Sequence, residues 1–287
     1  MVRNIILIAG LMLTLEGCQT LDFKRMILPL GPGVEKRFEQ SMKMTSGEAT
    51  SSLEIQEDYE LYVCTDPHVD KSSIYLEKFT DLLFNDPDAS FGILLGDCTD
   101  RKDNLEAYMK AVAYSENRHL HEHPLFHVLG NHDVYFNGWE DFSRSIGPSV
   151  YWFEARFTAG ADLYISLDSA NGTLGGKQTK WLKSFLAEKR KNYRHCFILT
   201  HTNFFYTDCS QASSGNLPLD ETLGLIDLFD KHDITLVLQG HDHTREDLKC
   251  GNVRYTVIGS ISDKVKKPEF LKIRVSGKNV AYDWVLL

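Results

Sequence analysis

The sequence predicts an α/β domain whose chemistry sits at strand ends, and three observations lead there. Short apolar runs alternate with longer stretches of helical period. The alternation continues to the C-terminus without an internal repeat or a low-complexity tract. Aspartates and histidines gather directly after the apolar runs.

In chain order, residues 61–64 read as a strand and 73–83 as a helix. Residues 91–95 are the second strand, 104–118 the second helix, and 125–129 the third strand. Strands follow at 163–167, 196–199 and 234–238, with helices near 178–189 and 223–231. The tail offers strands at 255–258, 270–275 and 280–285, the last two joined by the turn Ser276-Gly277-Lys278-Asn279.

The start of the chain reads differently. A short positive start precedes an apolar run from Ile5 to Leu15, too short to span a bilayer but suited to a signal peptide. Residues 1–18 are therefore expected to be a leader. Its end, Leu15-Glu16-Gly17-Cys18, resembles a bacterial lipoprotein box, although Glu16 departs from that pattern. The expected location is the cell envelope, by lipid on Cys18 or, alternatively, by plain secretion. Residues 19–53 are rich in charge, Ser/Thr and Gly, and read as a tether or loose arm. The catalytic domain is expected over 54–287.

Composition narrows the function. Of 287 residues, 43% are hydrophobic and 25% charged, the mix of a globular protein. A net charge of -9 argues against coating nucleic acid, which needs a basic face. It leaves room for a small anionic substrate, because bound cations invert the local field. Of six cysteines, Cys64, Cys98 and Cys196 lie in or beside apolar runs and read as buried small hydrophobes. Cys209 and Cys250 lie in polar loops, where pairing stays open.

Five clusters carry the chemistry. They are Asp66-Pro67-His68, Gly96-Asp97-Cys98-Thr99-Asp100, Gly130-Asn131-His132-Asp133, His201, and Gly240-His241-Asp242-His243. Each alone reads equally well as a turn. Together they sit at strand ends that converge on one edge of an α/β sheet. Carboxylate, imidazole and amide oxygen without paired thiolates suit Mn, Fe, Zn or Co. So large a set exceeds one catalytic tetrahedron and fits two divalent ions about 3.5–4 Å apart.

This series of motifs resembles the calcineurin-like metallophosphoesterase superfamily from about residue 60 onward. Residues 142–153, Leu167-Asp168-Ser169 and 176–182 look like connecting segments of its small bacterial phosphodiesterase-like members. The resemblance implies a four-layer α/β/β/α sandwich with two mixed sheets and a dinuclear metal site at the strand ends. It implies that Asp66, His68, Asp97 and His243 hold one ion, and that Asp97, Asn131, His201 and His241 hold the other. His132 would stand near the leaving group, Asp133 would orient it, and Asp100 would give outer support. The activity implied is hydrolysis of a small phosphoester, a nucleotide or another, by in-line attack of a hydroxide held between two divalent ions. A non-catalytic scaffold or a nuclease is the alternative. A retired enzyme is expected to lose some of these ligands, and this chain keeps all of them.

Other residues read as bystanders. His119, His121, His123 and His127 suggest a solvated helix end plus one strand histidine. His195 and His232 read as surface residues. Asn171, Phe204, Phe205, Tyr206 and Asp208 lie just beyond strand ends, where the aromatics either pack the loop or touch substrate.

Overall fold

The computed structural model describes residues 31–116, 123–205 and 216–287. The leader with Cys18, and His119, His121, Tyr206, Asp208 and Cys209, lie outside the described residues. Among the described residues no helix is long and apolar enough to cross a membrane.

Two mixed sheets stack face to face. One has five strands in the order β12-β11-β2-β3-β4: β2 (Tyr59–Cys64), β3 (Ala89–Leu94), β4 (Leu125–His127), β11 (Glu269–Ser276) and β12 (Asn279–Leu286). In it β2, β3 and β4 are parallel, β11 runs antiparallel to β2, and β12 antiparallel to β11. The other has seven in the order β1-β5-β6-β7-β8-β10-β9. These are β1 (Ser51–Glu54), β5 (Tyr151–Phe157), β6 (Gly160–Ser166), β7 (Cys196–Leu199), β8 (Leu236–Gln239), β9 (Glu246–Cys250) and β10 (Val253–Val257). Here β6, β7, β8 and β10 run parallel.

The two-residue period of the strands sorts side chains into layers. Leu61 and Val63 of β2 face Phe197 and Leu199 of β7 between the sheets. Phe126, Phe153, Tyr164 and Phe197 stack there, with successive ring centroids 3.7, 4.8 and 4.5 Å apart. Such pairs each add about 0.5–1.5 kcal/mol beyond the area they bury. Tyr62 and Cys64 point the other way, against α2 (Ile74–Asn85) and α3 (Leu105–Glu116). Cys196 and Ile198 point away from the centre, against α4 (Gly175–Lys189) and α5 (Leu219–Lys231). The result is the expected α/β/β/α sandwich.

The arm expected over 19–53 is corrected where it is described. Residues Val34–Thr45 form α1, which buries Val34, Arg37, Phe38 and Ser41. β1 then pairs in parallel with β5. The arm looks loose in sequence because two of its core positions are polar, and each finds a buried partner. Ser41 Oγ accepts from the amides of Ser149 and Val150, at 3.0 and 3.3 Å. Arg37 makes two 2.8 Å bonds to the carboxylate of Asp168. The three-strand tail is also divided: β10 belongs to the seven-stranded sheet, and β11 and β12 to the other.

Candidate metal centre

All five clusters meet at one edge of the sandwich. Asp66 and His68 follow β2, Asp97 and Asp100 follow β3, and Asn131, His132 and Asp133 follow β4, all from the five-stranded sheet. His201 follows β7, and His241 and His243 follow β8, from the seven-stranded sheet.

The loops that carry these residues are tightly bent. Asp66, His68, Asp97, His241 and His243 all have positive φ, between 45° and 76°. A side chain in that region costs about 1–3 kcal/mol and persists where the surroundings over-determine it. Two glycines let the loops approach the site. A Cβ on Gly130 would lie 2.1 Å from the Asp97 amide nitrogen, and one on Gly240 would lie 2.1 Å from Thr65 Oγ1. Further pins come from the loop after β10, where Ser260 Oγ donates to the Asp66 carbonyl at 2.7 Å.

Two histidines define the character of the site. His201 is fully buried, and its Nδ1 lies 2.8 Å from the Leu95 carbonyl, which can only accept. The proton of neutral His201 is therefore on Nδ1, and Nε2 presents a lone pair. That lone pair faces Asn131 Oδ1 at 2.9 Å, His241 Nδ1 at 3.2 Å and Asp97 Oδ2 at 3.4 Å. His68 is placed similarly, with an ion-pair contact to a carboxylate at Nδ1 and no formed hydrogen bond there. Its Nδ1 lies 3.0 Å from Asp100 Oδ1. Its Nε2 faces His243 Nε2 at 3.0 Å, Asp66 Oδ1 at 3.6 Å and Asp97 Oδ2 at 3.7 Å.

These are two clusters, or cages, of atoms able to ligate a cation once the histidines are neutral, and Asp97 Oδ2 reaches both. Acceptors crowded to about 3.0–3.7 Å repel unless a cation lies among them, and that spacing suits ligands roughly 2.0–2.2 Å from a shared ion. Asp66 Oδ1 fits this: it is buried without a hydrogen-bond partner. The groups Asp66, His68, His243 and Asp97, His201, His241 each bring their ligand atoms within 4.8 Å of one another. The residues present therefore fit a dinuclear divalent site.

The electrostatics agree. Burial works against charge on His68, but Asp100, Asp66 and Asp97 overcome it and hold the imidazole up at about 10. Burial opposes charge on His201 too, and Asp97 and Asp66 outweigh it, giving about 9. Burial would raise Asp66 and Asp97, yet the surrounding histidines hold both well below the usual carboxylate range. Without ions, protons occupy the positions that cations suit.

Around the cages the outer residues divide. Asp100 has three contacts: its Oδ1 is 3.0 Å from His68 Nδ1, its Oδ2 is 2.5 Å from Lys264 Nζ, and its carbonyl lies 3.2 Å from His132 Nδ1. The His132 ring packs edge-on against His68 at 4.7 Å and tilted against Tyr135 at 4.7 Å. Asp133 does not take the expected role of orienting His132. It turns inward, where Oδ2 accepts from the Gly130 amide at 2.9 Å. Burial, then the charge of Asp97, pushes Asp133 up to about 7. The reason is local: the chain winds through residues 132–134, then kinks at Tyr135 and Phe136, and Asp133 is buried beneath this loop.

Other expectations resolve as follows. His127 is a strand histidine whose Nε2 meets Tyr108 OH at 2.6 Å, away from the cages. His195 is corrected from surface to buried, with its Nε2 2.9 Å from the Gly277 carbonyl. Phe204 packs against Phe229, and Phe205 lies edge-on to Tyr255, so these aromatics pack the loop. Asn171 is exposed. Two contributors, Tyr135 and Lys264, are absent from the sequence reading. Tyr135 carries the one legible signal, standing four residues after Asn131 in a short turn.

Residues 59–245 match the calcineurin-like phosphoesterase family, and the chain belongs to it. The fold and the paired acid–histidine cages define a metal-dependent enzyme that hydrolyses phosphoesters. No curated protein sequence matches the chain. Among solved structures, a dimetal phosphatase from Danio rerio is similar with a TM-score of 0.61 at 12% identity, covering 79% of this chain and 95% of that one. Purple acid phosphatase PPD1 from yellow lupin seeds has a TM-score of 0.61 at 11% identity, covering 81% and 52%. GAP50, the anchor in the inner membrane complex of Plasmodium, has a TM-score of 0.57 at 14% identity, covering 80% and 84%. At these identities the likeness is one of fold.

Proposed function

We propose that this protein hydrolyses a small phosphoester, a nucleotide or a comparable monoester or diester, with two divalent ions. In this reading Asp66, His68, Asp97 and His243 hold one ion, and Asp97, Asn131, His201 and His241 hold the other. The observation that carries it is the pair of carboxylate, amide and imidazole clusters that share Asp97 Oδ2. The ions would supply charge that neutralises phosphate oxygens and makes water acidic enough to attack at neutral pH.

The chain's own residues then have distinct tasks. Asp97 Oδ1 accepts from the His132 amide at 2.7 Å, so the bridging carboxylate also sets the backbone of His132. The Asp100 carbonyl engages His132 Nδ1, which leaves Nε2 as the nitrogen for the substrate. We assign to Nε2 the proton delivered to the leaving oxygen. Asp100 holds His68 by its carboxylate and His132 by its carbonyl, and so aims a ligand and the acid from one residue.

A scaffold role is the competing reading, because this fold also occurs in the Plasmodium anchor protein and fold alone does not decide function. The complete ligand set favours the enzyme. The acidic balance favours a small substrate over nucleic acid. The leader supports a place in the envelope, with lipid on Cys18 as the anchor. The test is metal analysis of purified protein, followed by a panel of nitrophenyl phosphates, alkyl phosphates and nucleotides with Mn, Zn, Fe and Co added back. Two ions per chain with turnover of a small ester is the expected result. Two bound ions with no turnover across the panel would turn the assignment toward a scaffold.

A further inference from the structure

An amide ligand has a weakness that a carboxylate lacks. One side of the Asn131 amide is an oxygen lone pair and the other carries two protons, so a half-turn converts a ligand into a repulsive group. Something must hold the amide the right way round. Asn131 Oδ1 faces His201 Nε2 at 2.9 Å, inside the second cage. On the opposite side Asn131 Nδ2 donates to Tyr135 OH at 2.9 Å.

The turn at residues 132–137 makes this contact. The chain winds through residues 132–134 and then breaks to an extended backbone at Tyr135, with ψ of 147°, where its hydroxyl meets the Asn131 amide four residues earlier. The next two residues, Phe136 and Asn137, have positive φ of 54° and 66°, a strained exit that sends the chain away after Tyr135 is placed. The Tyr135 ring also lies 4.7 Å from the ring of His132. A half-buried tyrosine thus touches a residue of the second cage and the candidate acid.

We propose that Tyr135 is a positioning residue whose hydroxyl oxygen locks the Asn131 amide with Oδ1 toward the second ion. This rests on the reading that Asn131 is a ligand. The lock works through the acceptor capacity of the phenol oxygen: with Nδ2 held, rotation of the amide breaks one hydrogen bond and points protons at a cation.

Metal affinity tests this without recourse to turnover. Metal-free full-length protein is titrated with Mn by calorimetry, in the wild type and in Tyr135→Phe, which removes only the hydroxyl. The wild type is expected to bind two ions. Tyr135→Phe should bind the first unchanged and the second about tenfold more weakly, the range seen when the partner of a ligand is lost. Its melting temperature in chelator should match the wild type. Saturating Mn should restore kcat, because the deficit lies in occupancy. An Asn131→Asp background separates the lock from packing. A carboxylate offers oxygen on both sides, so adding Tyr135→Phe there should change second-ion affinity less than twofold, a near-absence of coupling read by the cycle. Unchanged second-ion affinity in Tyr135→Phe would overturn the proposal. So would an equal loss in the Asn131→Asp background, which would place the effect in packing against His132. A wild type that binds fewer than two ions would instead count against the dinuclear reading itself.

Discussion

Arg37→Met is the sharpest test of how the N-terminal segment contributes. Arg37 and Asp168 have side chains 1% and 0% exposed, and two 2.8 Å bonds join them. A third bond runs from Arg37 Nη1 to the Pro32 carbonyl at 2.7 Å. Among the described residues, the Asp168 carboxylate without the guanidinium keeps the Ala170 amide, at 3.3 Å. Removing one partner of a buried pair costs about 3–5 kcal/mol. At roughly 2–4 °C per kcal/mol for a domain of this size, melting should fall by about 6–20 °C. Thermal melts by circular dichroism at saturating Mn measure it. Arg37→Met/Asp168→Leu should recover most of the loss, since no charge is then left buried alone. Activity should fall with the single variant as well. Ser169, beside Asp168, holds Thr200 Oγ1 at 2.8 Å and the Thr202 amide at 3.0 Å, on either side of His201. A single variant that melts within about 2 °C of the wild type would refute the reasoning and return residues 31–54 to a loose arm.

Asp97→Asn should lose both ions and turnover together, because its Oδ2 faces both cages; two ions retained per chain would contradict a bridge. His132→Ala should keep its metal content and lose most turnover on alkyl esters, whose leaving groups need a proton, and least on nitrophenyl esters. Equal losses on both would remove His132 from that role. Gly130→Ala should empty the site, because its Cβ would fall 2.2 Å from Asp97 Oδ1, and metal analysis of the folded variant checks it. Cys18→Ser should abolish palmitate labelling in a bacterial host, and an unlabelled wild type would point to plain secretion.

The central strands were legible because they are mostly buried on both faces, so residues 61–64 of β2, 91–94 of β3, 196–199 of β7 and 236–238 of β8 read as apolar runs shortly before site residues. The outer elements were not. β1 alternates half-buried and exposed over four residues, Ser-Ser-Leu-Glu, and β9 is an edge strand reading Glu-Asp-Leu-Lys-Cys. In α1 the buried stripe contains Arg37 and Ser41, whose partners lie more than a hundred residues away, so no local pattern marks them as core. The site residues were legible by type and position, down to Asp97 lying between two sets. The inward turn of Asp133 was not, because it follows from the curl of residues 132–137 and not from spacing. Tyr135 was missed for the same reason: its value lies in a hydrogen bond to one side of an amide.

The candidate ligands come from both sheets, and this has a mechanical consequence. His68 and His243 are 175 positions apart in the chain yet meet at 3.0 Å. Any ion shared between them acts as a removable bolt that closes a very long loop and clamps one sheet to the other. Such a clamp stabilises the fold in proportion to metal supply, by about 2.7 kcal/mol per site at a hundredfold excess over Kd. The bent backbone at Asp66, His68, Asp97, His241 and His243 pulls the opposite way, since it is held in place most firmly when the ions are present. A chelator should therefore open the sandwich from this edge first, with amides near residues 66–69 and 240–243 exchanging early while the aromatic stack between the sheets stays protected. In a compartment where metal is scarce, the quantity of folded protein, and not only its activity, would then report how much metal is at hand.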